Sequence, residues 1–296
     1  MKKLLITILP VLIIAGGWIA YAVANQPAKN QNKLTISASF YPYAYLAKQI
    51  GGDLVDVKNI TPAGAEPHDF EPSAGDIVQM YQSKLFIYNG LVESWGDKLA
   101  GQLKSENVVV LKMSDQVNLA VPNDPHFWLD PVLVKQQASL IRDRLVEIDW
   151  ANASIYDQNA LILQSKLTSL NTQYQNGLNN CQITDFVTAH DAFAYLAKRY
   201  DLNQIAISGI SPDSEPSAQQ MAEISNLVTQ KQIEYIFFES LTSPKLSETI
   251  ASATGAKTLV LNPLEGLTTD QEQSGQDYVT IMQDNLTNLR VALGCK

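Results

Sequence analysis

The sequence has 296 residues, of which 46% are hydrophobic and 17% charged, with a formal net charge of −9. That length exceeds the size at which one hydrophobic core stops growing, so two domains are expected. The acidic balance, with no Lys/Arg-rich run beyond Lys2-Lys3, excludes a phosphate-tracking surface and with it a nucleic-acid partner. It attracts cations only weakly and without choosing among them.

The two lysines precede an uncharged run over 4–24 that closes on Ala22-Val23-Ala24. A basic start, an apolar stretch and a small-x-small end predict export. The run is also long enough to span a bilayer as an uncleaved anchor, so 1–24 reads as a signal peptide or an N-terminal membrane anchor. In either case the segment engages the membrane during export and leaves the remainder on a periplasmic or extracellular face. No cysteine lies near it, and the expectation is that the chain is not a lipoprotein. A polar linker follows over 25–33.

From there the pattern alternates. Residues 34–40 read as a strand, 42–50 as a helix stopped by Gly51-Gly52, and 55–60 as a second strand. Residues 61–72 carry three prolines and a glycine and read as loop. Ser73, with Asp76 three positions on, reads as the cap of a further helix. Strands follow at 85–89 and 108–111. The segment 130–180 shows no strand pattern; Asp130-Pro131 supplies a cap and a first-turn proline for a helix to about 148, and a second helix runs from about 153 to 177. The second half returns to alternation, with strands at 185–189, 204–207, 235–239 and 259–261 and helices at 191–199, 217–231, 244–254 and 278–293. Short apolar strands alternating with helices predict an α/β fold with parallel sheets. The expected organisation is an N-terminal lobe over 34–150, a long connecting helix over 151–180 and a C-terminal lobe over 181–296.

The two cysteines, Cys181 and Cys295, form an isolated pair that predicts one disulfide in an oxidising compartment. Two free buried thiols are the alternative. The chain has three histidines. His68 lies in a strand-to-helix loop, His126 just before the Asp130-Pro131 helix start, and His190 directly after a strand. Ligands of open α/β sheets bind outside the carboxyl ends of the strands. Three imidazoles converging there would suit zinc better than calcium or magnesium. Taken singly, each His is better read as a satisfied loop or cap residue; the three together, at helix entrances of an exported α/β protein, raise the metal reading. No Gly-x-Ser-x-Gly elbow, Walker motif or His-Glu-x-x-His is present.

Several stretches together resemble one family: Ser39-Phe40-Tyr41-Pro42, the run from Glu66 to Ser73 (Glu-Pro-His-Asp-Phe-Glu-Pro-Ser), the run from Asp124 to Pro131 (Asp-Pro-His-Phe-Trp-Leu-Asp-Pro), Thr188-Ala189-His190-Asp191-Ala192-Phe193, and the run from Gly209 to Ser217. In this order they are similar to the zinc/manganese solute-binding proteins of ABC importers, the ZnuA/TroA-like group. The resemblance implies two α/β lobes joined by one long helix, a metal held at the lobe interface, and a monomer that delivers it to a membrane permease driven by a cytoplasmic ATPase. It implies ligands at His68, His126 and His190. Manganese-type members tend to carry a carboxylate where His190 stands, so Zn2+ is expected over Mn2+. Where many members have an Asp, this chain has Asn262, and Glu265 becomes the expected fourth ligand, with Glu239 the second choice or a supporting acceptor and water a further possibility. Asp69 and Asp191 are the expected partners of the outer ring nitrogens. The His-rich loop of some zinc-type members is missing. A surface adhesin on the same fold and a zinc hydrolase are the rival readings; the expectation is that the protein is not an enzyme.

Overall fold

The apolar run Leu85-Phe86-Ile87-Tyr88 is buried at all four positions, as a central parallel strand covered on both faces should be. Around it the computed structural model, which describes residues 33–296, builds the first of two sheets. The signal or anchor segment expected over 1–24, and all but the last residue of the 25–33 linker, lie outside the described residues. The first sheet comprises β1 (Leu34–Ala38), β2 (Val55–Asn59), β3 (Leu85–Tyr88) and β4 (Val109–Lys112), with helices α1 (Tyr41–Gly51), α2 (Ala74–Gln82) and α3 (Gly96–Ser105) between them. All pairings are parallel and the spatial order is β2-β1-β3-β4.

The second sheet repeats this order. β5 (Asp185–Thr188), β6 (Asn203–Ala206), β7 (Tyr235–Phe238) and β8 (Lys257–Val260) lie as β6-β5-β7-β8, again all parallel. Its helices are α6 (Ala194–Arg199), α7 (Ala218–Gln230), α8 (Lys245–Thr254), α9 (Thr269–Gln273) and α10 (Tyr278–Ala292).

Between the sheets, α4 (Pro131–Ile148) and α5 (Ala153–Leu178) form a helical hairpin. The α4 start follows its local chemistry: the Asp130 carboxylate accepts from the Val132 N–H at 2.8 Å and Pro131 fills the first helical position. Ser73 and Asp76 likewise form a reciprocal capping box on α2. At 26 residues α5 is about 39 Å long. It buries one stripe, Tyr156, Ala160, Leu163, Leu167, Leu170, Tyr174 and Leu178. Near its start Asn159 donates to the Ile50 carbonyl of α1 at 2.9 Å, and near its end Tyr174 donates to the Met282 carbonyl of α10 at 2.7 Å. One helix therefore packs on both lobes. The main core is continuous across it, from Ile36 to Leu293, and each lobe adds a smaller apolar cluster on the other side of its sheet.

Cys181 and Cys295 are joined by a disulfide. The structure departs from the expected elements in three places. α3 and the short α9 have no counterpart in the sequence pattern. α6 begins at Ala194 rather than at 191, because residues 190–193 form a turn: Asp191 N–H donates to the Gly209 carbonyl at 2.9 Å and Phe193 N–H to the Gln204 side chain at 3.0 Å.

Candidate metal centre

The carboxyl ends of both sheets face one region, and four side chains meet there. His68 is carried by the proline-rich loop after β2, where its N–H donates to Glu66 Oε1 at 3.2 Å. His126 follows β4 in a turn fixed by Asp124, whose Oδ1 accepts from the His126 N–H at 2.9 Å and from its ring Nδ1 at 2.7 Å. His190 follows β5 and is fixed in the same manner by Glu239 at the end of β7, with the ring Nδ1 at 2.6 Å from Oε1. Glu265 follows β8 in the loop Asn262-Pro263-Leu264. There the Asn262 side-chain oxygen accepts from the Leu264 N–H at 2.7 Å and holds Leu264 at φ +58°, a conformation a bulky residue adopts only when its surroundings impose it. That turn directs Glu265 inward, and Trp128, neighbouring His126, donates to the Pro263 carbonyl at 2.7 Å.

Glu265 Oε1 lies 3.2 Å from His68 Nε2, 3.2 Å from His126 Nε2 and 3.3 Å from His190 Nε2. His126 Nε2 lies 3.3 Å from His68 Nε2 and 3.4 Å from His190 Nε2. Metal–nitrogen bonds of about 2.0–2.1 Å at tetrahedral angles place donor atoms about 3.3–3.4 Å apart. The five separations match five of the six edges of a tetrahedron sized for a small divalent ion, the sixth, His68 to His190, lies within 4.8 Å, and the four donors can hold one. His126, His190 and Glu265 are buried, and His68 is the most open of the set.

At this spacing the donors perturb one another. Burial pushes the His190 and His126 pKa values down, but neighbouring carboxylates outweigh it: Glu265 and Glu239 hold His190 well above the ordinary histidine value, and Asp124 and Glu265 raise His126. For Glu265 burial acts upward, while His190, His126 and His68 together hold it well below the usual carboxylate range. Glu66 is pushed up to about 9 by burial and by the Glu265 charge. A metal entering this cluster would have to displace the protons it holds.

The other expected site residues are placed as follows. Glu239 braces His190. Asp69 lies against the carboxyl of Asp213, which raises its pKa, and Asp191 is fixed through its backbone to Gly209; neither hydrogen-bonds a ring nitrogen of the three histidines among the described residues. Asn262 donates to Ser240 and shapes the Glu265 loop without reaching the four donors. Asp124 was missed by sequence reasoning. Its signal is local: an Asp two residues before a His, in Asp124-Pro125-His126, is an Asx-turn pattern. Because the hydrogen bond on the outer nitrogen sets ring orientation and basicity, Glu239→Ala is expected to weaken metal affinity by about 10–100-fold, with Glu239→Gln retaining part of it. Chelator competition measures this, and equal affinities in all three proteins would refute the bracing role.

Comparison with known proteins points the same way. The family described as "Zinc-uptake complex component A periplasmic" matches residues 36–292. The "Zinc-binding lipoprotein AdcA" of Streptococcus pneumoniae is 36% identical over 94% of this chain, and the chain spans 60% of that relative's length. The "High-affinity zinc uptake system protein ZnuA" of Bacillus subtilis is 34% identical over 88% of each. Among solved structures, the Zn(II)-bound ZnuA-like domain of S. pneumoniae AdcA superposes with a TM-score of 0.80 at 38% identity, covering 88% of this chain and 99% of that one. A laminin-binding protein of Streptococcus agalactiae, titled as having adhesin and metal-transporting activity, gives 0.80 at 34% identity, with the same coverage. The lipoprotein name of the S. pneumoniae relative overturns the expectation that the chain is not a lipoprotein. That expectation rested on the cysteine content of one short segment alone. With the profile matching nearly the whole described chain and relatives above 30% identity, the protein belongs to the zinc-uptake complex component A family.

Proposed function

We propose that the protein captures zinc outside the cytoplasm and delivers it to the permease of an ABC importer powered by a cytoplasmic ATPase, without enzymatic turnover. The observation that carries this reading is the convergence of three imidazole nitrogens and one carboxylate oxygen within 4.8 Å, five of their six separations being 3.2–3.4 Å. His68, His126, His190 and Glu265 are its ligands in this proposal. Three nitrogen donors favour zinc over manganese, which prefers oxygen. A carboxylate in the fourth position also fills the place a hydrolytic enzyme keeps open for water. The formal site charge is about +1 once the dication meets three neutral rings and one anion, so burial of the ion is moderate in cost. Residues 1–24 serve export in this reading, and the lobes divide at the 151–180 helix. Attachment to laminin is a second reading, favoured by the laminin-binding neighbour and separable by a binding assay with and without zinc.

The test is metal analysis of protein purified without added metal, followed by zinc–manganese competition across pH. One bound zinc per chain is expected, with manganese unable to displace it. The sign of the pH effect follows from the shifts. The raised His126 and His190 values mean that the empty site holds protons at a pH where an ordinary imidazole of about 6.5 has lost them. Zinc must displace these protons, so affinity should climb through neutral pH and beyond. In the metal-free protein, imidazolium stabilisation is fully present below the unfolded value of about 6.5 and lost as pH rises through the raised folded values. The contribution of Glu265, whose pKa is depressed, is present above about 4.3 and lost as pH falls through its folded value. Stabilisation by added zinc should accordingly be largest at neutral to alkaline pH. A preference for manganese, or a pH-independent affinity, would count against the reading.

A further inference from the structure

We infer that α6 of the C-terminal lobe is a cross-lobe brace for His126, with Tyr195, Lys198 and Arg199 acting as positioning residues for that ligand. The inference rests on the ligand set proposed above and deepens it. His126 belongs to the N-terminal lobe, yet both flanks of its segment are gripped from the other lobe. Upstream, the Tyr195 hydroxyl donates to the Val121 carbonyl at 3.0 Å and Lys198 Nζ donates to the Ala120 carbonyl at 3.1 Å. Downstream, Arg199 donates from two nitrogens to Asp130 Oδ2, at 2.9 Å and 2.7 Å. Between them Phe127 meets the Tyr195 ring edge-on, with centroids 6.2 Å apart. A six-residue helix thus spends three of its side chains on the residues either side of one metal ligand.

The other end of α6 is tied to His190. The turn that joins them is locked by Gln204, whose side chain accepts from the Phe193 N–H at 3.0 Å and donates to the His190 carbonyl at 3.0 Å. Thr188 donates to the same carbonyl at 2.8 Å, and Phe193 is buried. A stiff path therefore runs from His190, through the locked turn and α6, to the His126 segment. The His68 loop is held differently, by Glu66 and by one backbone contact with the other lobe, from the Gly64 N–H to the Leu267 carbonyl at 2.8 Å, with no α6 side chain hydrogen-bonded to it among the described residues. Together with the Trp128 bond to the Pro263 carbonyl and the Tyr278 bond to the Trp128 carbonyl, both at 2.7 Å, this short helix sets the distance between two donors that come from different lobes, and donor spacing is what a tetrahedral site reads.

The test uses the double variant Tyr195→Phe with Lys198→Met, which removes both donors while keeping bulk, in three backgrounds: otherwise wild type, His126→Ala and His68→Ala. Zinc affinity is read by chelator competition, and the cobalt-loaded proteins are compared by their ligand-field absorption. In the wild-type background the double variant is expected to lose about tenfold in affinity, the lower end of the range for groups that orient a ligand, and to alter the cobalt bands. In His68→Ala the tenfold loss should persist. In His126→Ala it should vanish, because the ligand being positioned is gone. Arg199→Lys, which can still pair with Asp130, should restore the cobalt spectrum that Arg199→Met perturbs. The same loss in both His backgrounds, or unchanged cobalt bands in the double variant, would overturn the inference. Absence of stoichiometric metal in the wild-type protein would instead sink the ligand assignment beneath it.

Discussion

His190→Ala is expected to lower zinc affinity by about two orders of magnitude or more. Structural zinc sites are worth roughly 10–16 kcal/mol, so one of four donors carries about 3 kcal/mol, and each 1.4 kcal/mol is tenfold. The loss should exceed that share, because the substitution also strands Glu239. Its carboxylate is buried and its Oε1 is committed to the His190 ring and backbone, so the truncated site keeps a buried charge without its partner. His68→Ala should weaken binding less. Its ring sits at the margin of the site, with 8% of the side chain exposed against 0% for His190, and water can take the vacated position. Calorimetry or chelator competition gives both constants. An affinity for His190→Ala within threefold of wild type would refute the coordination scheme, and the reverse ranking would refute the account of its geometry.

Cys181→Ser with Cys295→Ser should destabilise the protein while leaving zinc affinity intact. The bridge closes a loop of 114 residues in sequence, containing nearly the whole C-terminal lobe, and its loss costs about 2–5 kcal/mol through the freedom returned to the unfolded chain. At about 2–4 °C per kcal/mol for a chain of this size, the melting temperature should fall by about 4–20 °C. The lobe stays assembled because its ends are zipped independently: the Gln182 N–H donates to the Leu293 carbonyl at 2.9 Å and the Lys296 N–H to the Asn180 carbonyl at 3.1 Å. Cys181 precedes β5 whereas His190 follows it, so the bridge and the donors sit at opposite ends of that strand. Thermal unfolding with a parallel zinc titration separates the effects. An unchanged melting temperature, or a shifted affinity, would count against this division.

Legibility in the sequence tracked how local the physics was. The α4 start was readable to the residue, because Asp130 and Pro131 act on their own helix, and the same holds for the Ser73–Asp76 box. The parallel sheets followed from short apolar strands separated by helices. α3 escaped notice because Gly96 and Gly101 interrupt its pattern. The α6 boundary slipped because Asp191 looks like a cap, while the hydrogen bonds that hold 190–193 as a turn come from Gly209 and Gln204, distant in sequence. In the site, the histidines drew attention as rare residues at strand ends. Their convergence is a tertiary arrangement that composition does not encode, whereas the turn that directs Glu265, a left-handed Leu264 held by Asn262 two residues before it, is local. Asp124 was available to a local reading, being two residues from its partner.

The repeated strand order has a consequence for how the ion is recognised. Each half of the molecule supplies two donors, His68 and His126 from the first and His190 and Glu265 from the second. His126 and Glu265 emerge after the matching last strands, β4 and β8, so duplicated architecture delivers a neutral ring on one side and an anion on the other. In the proposed ligand set, either half alone would be a bidentate chelator with no means of enforcing geometry. Discrimination among cations is therefore a property of the assembled pair, created at the seam and absent from each of its parts.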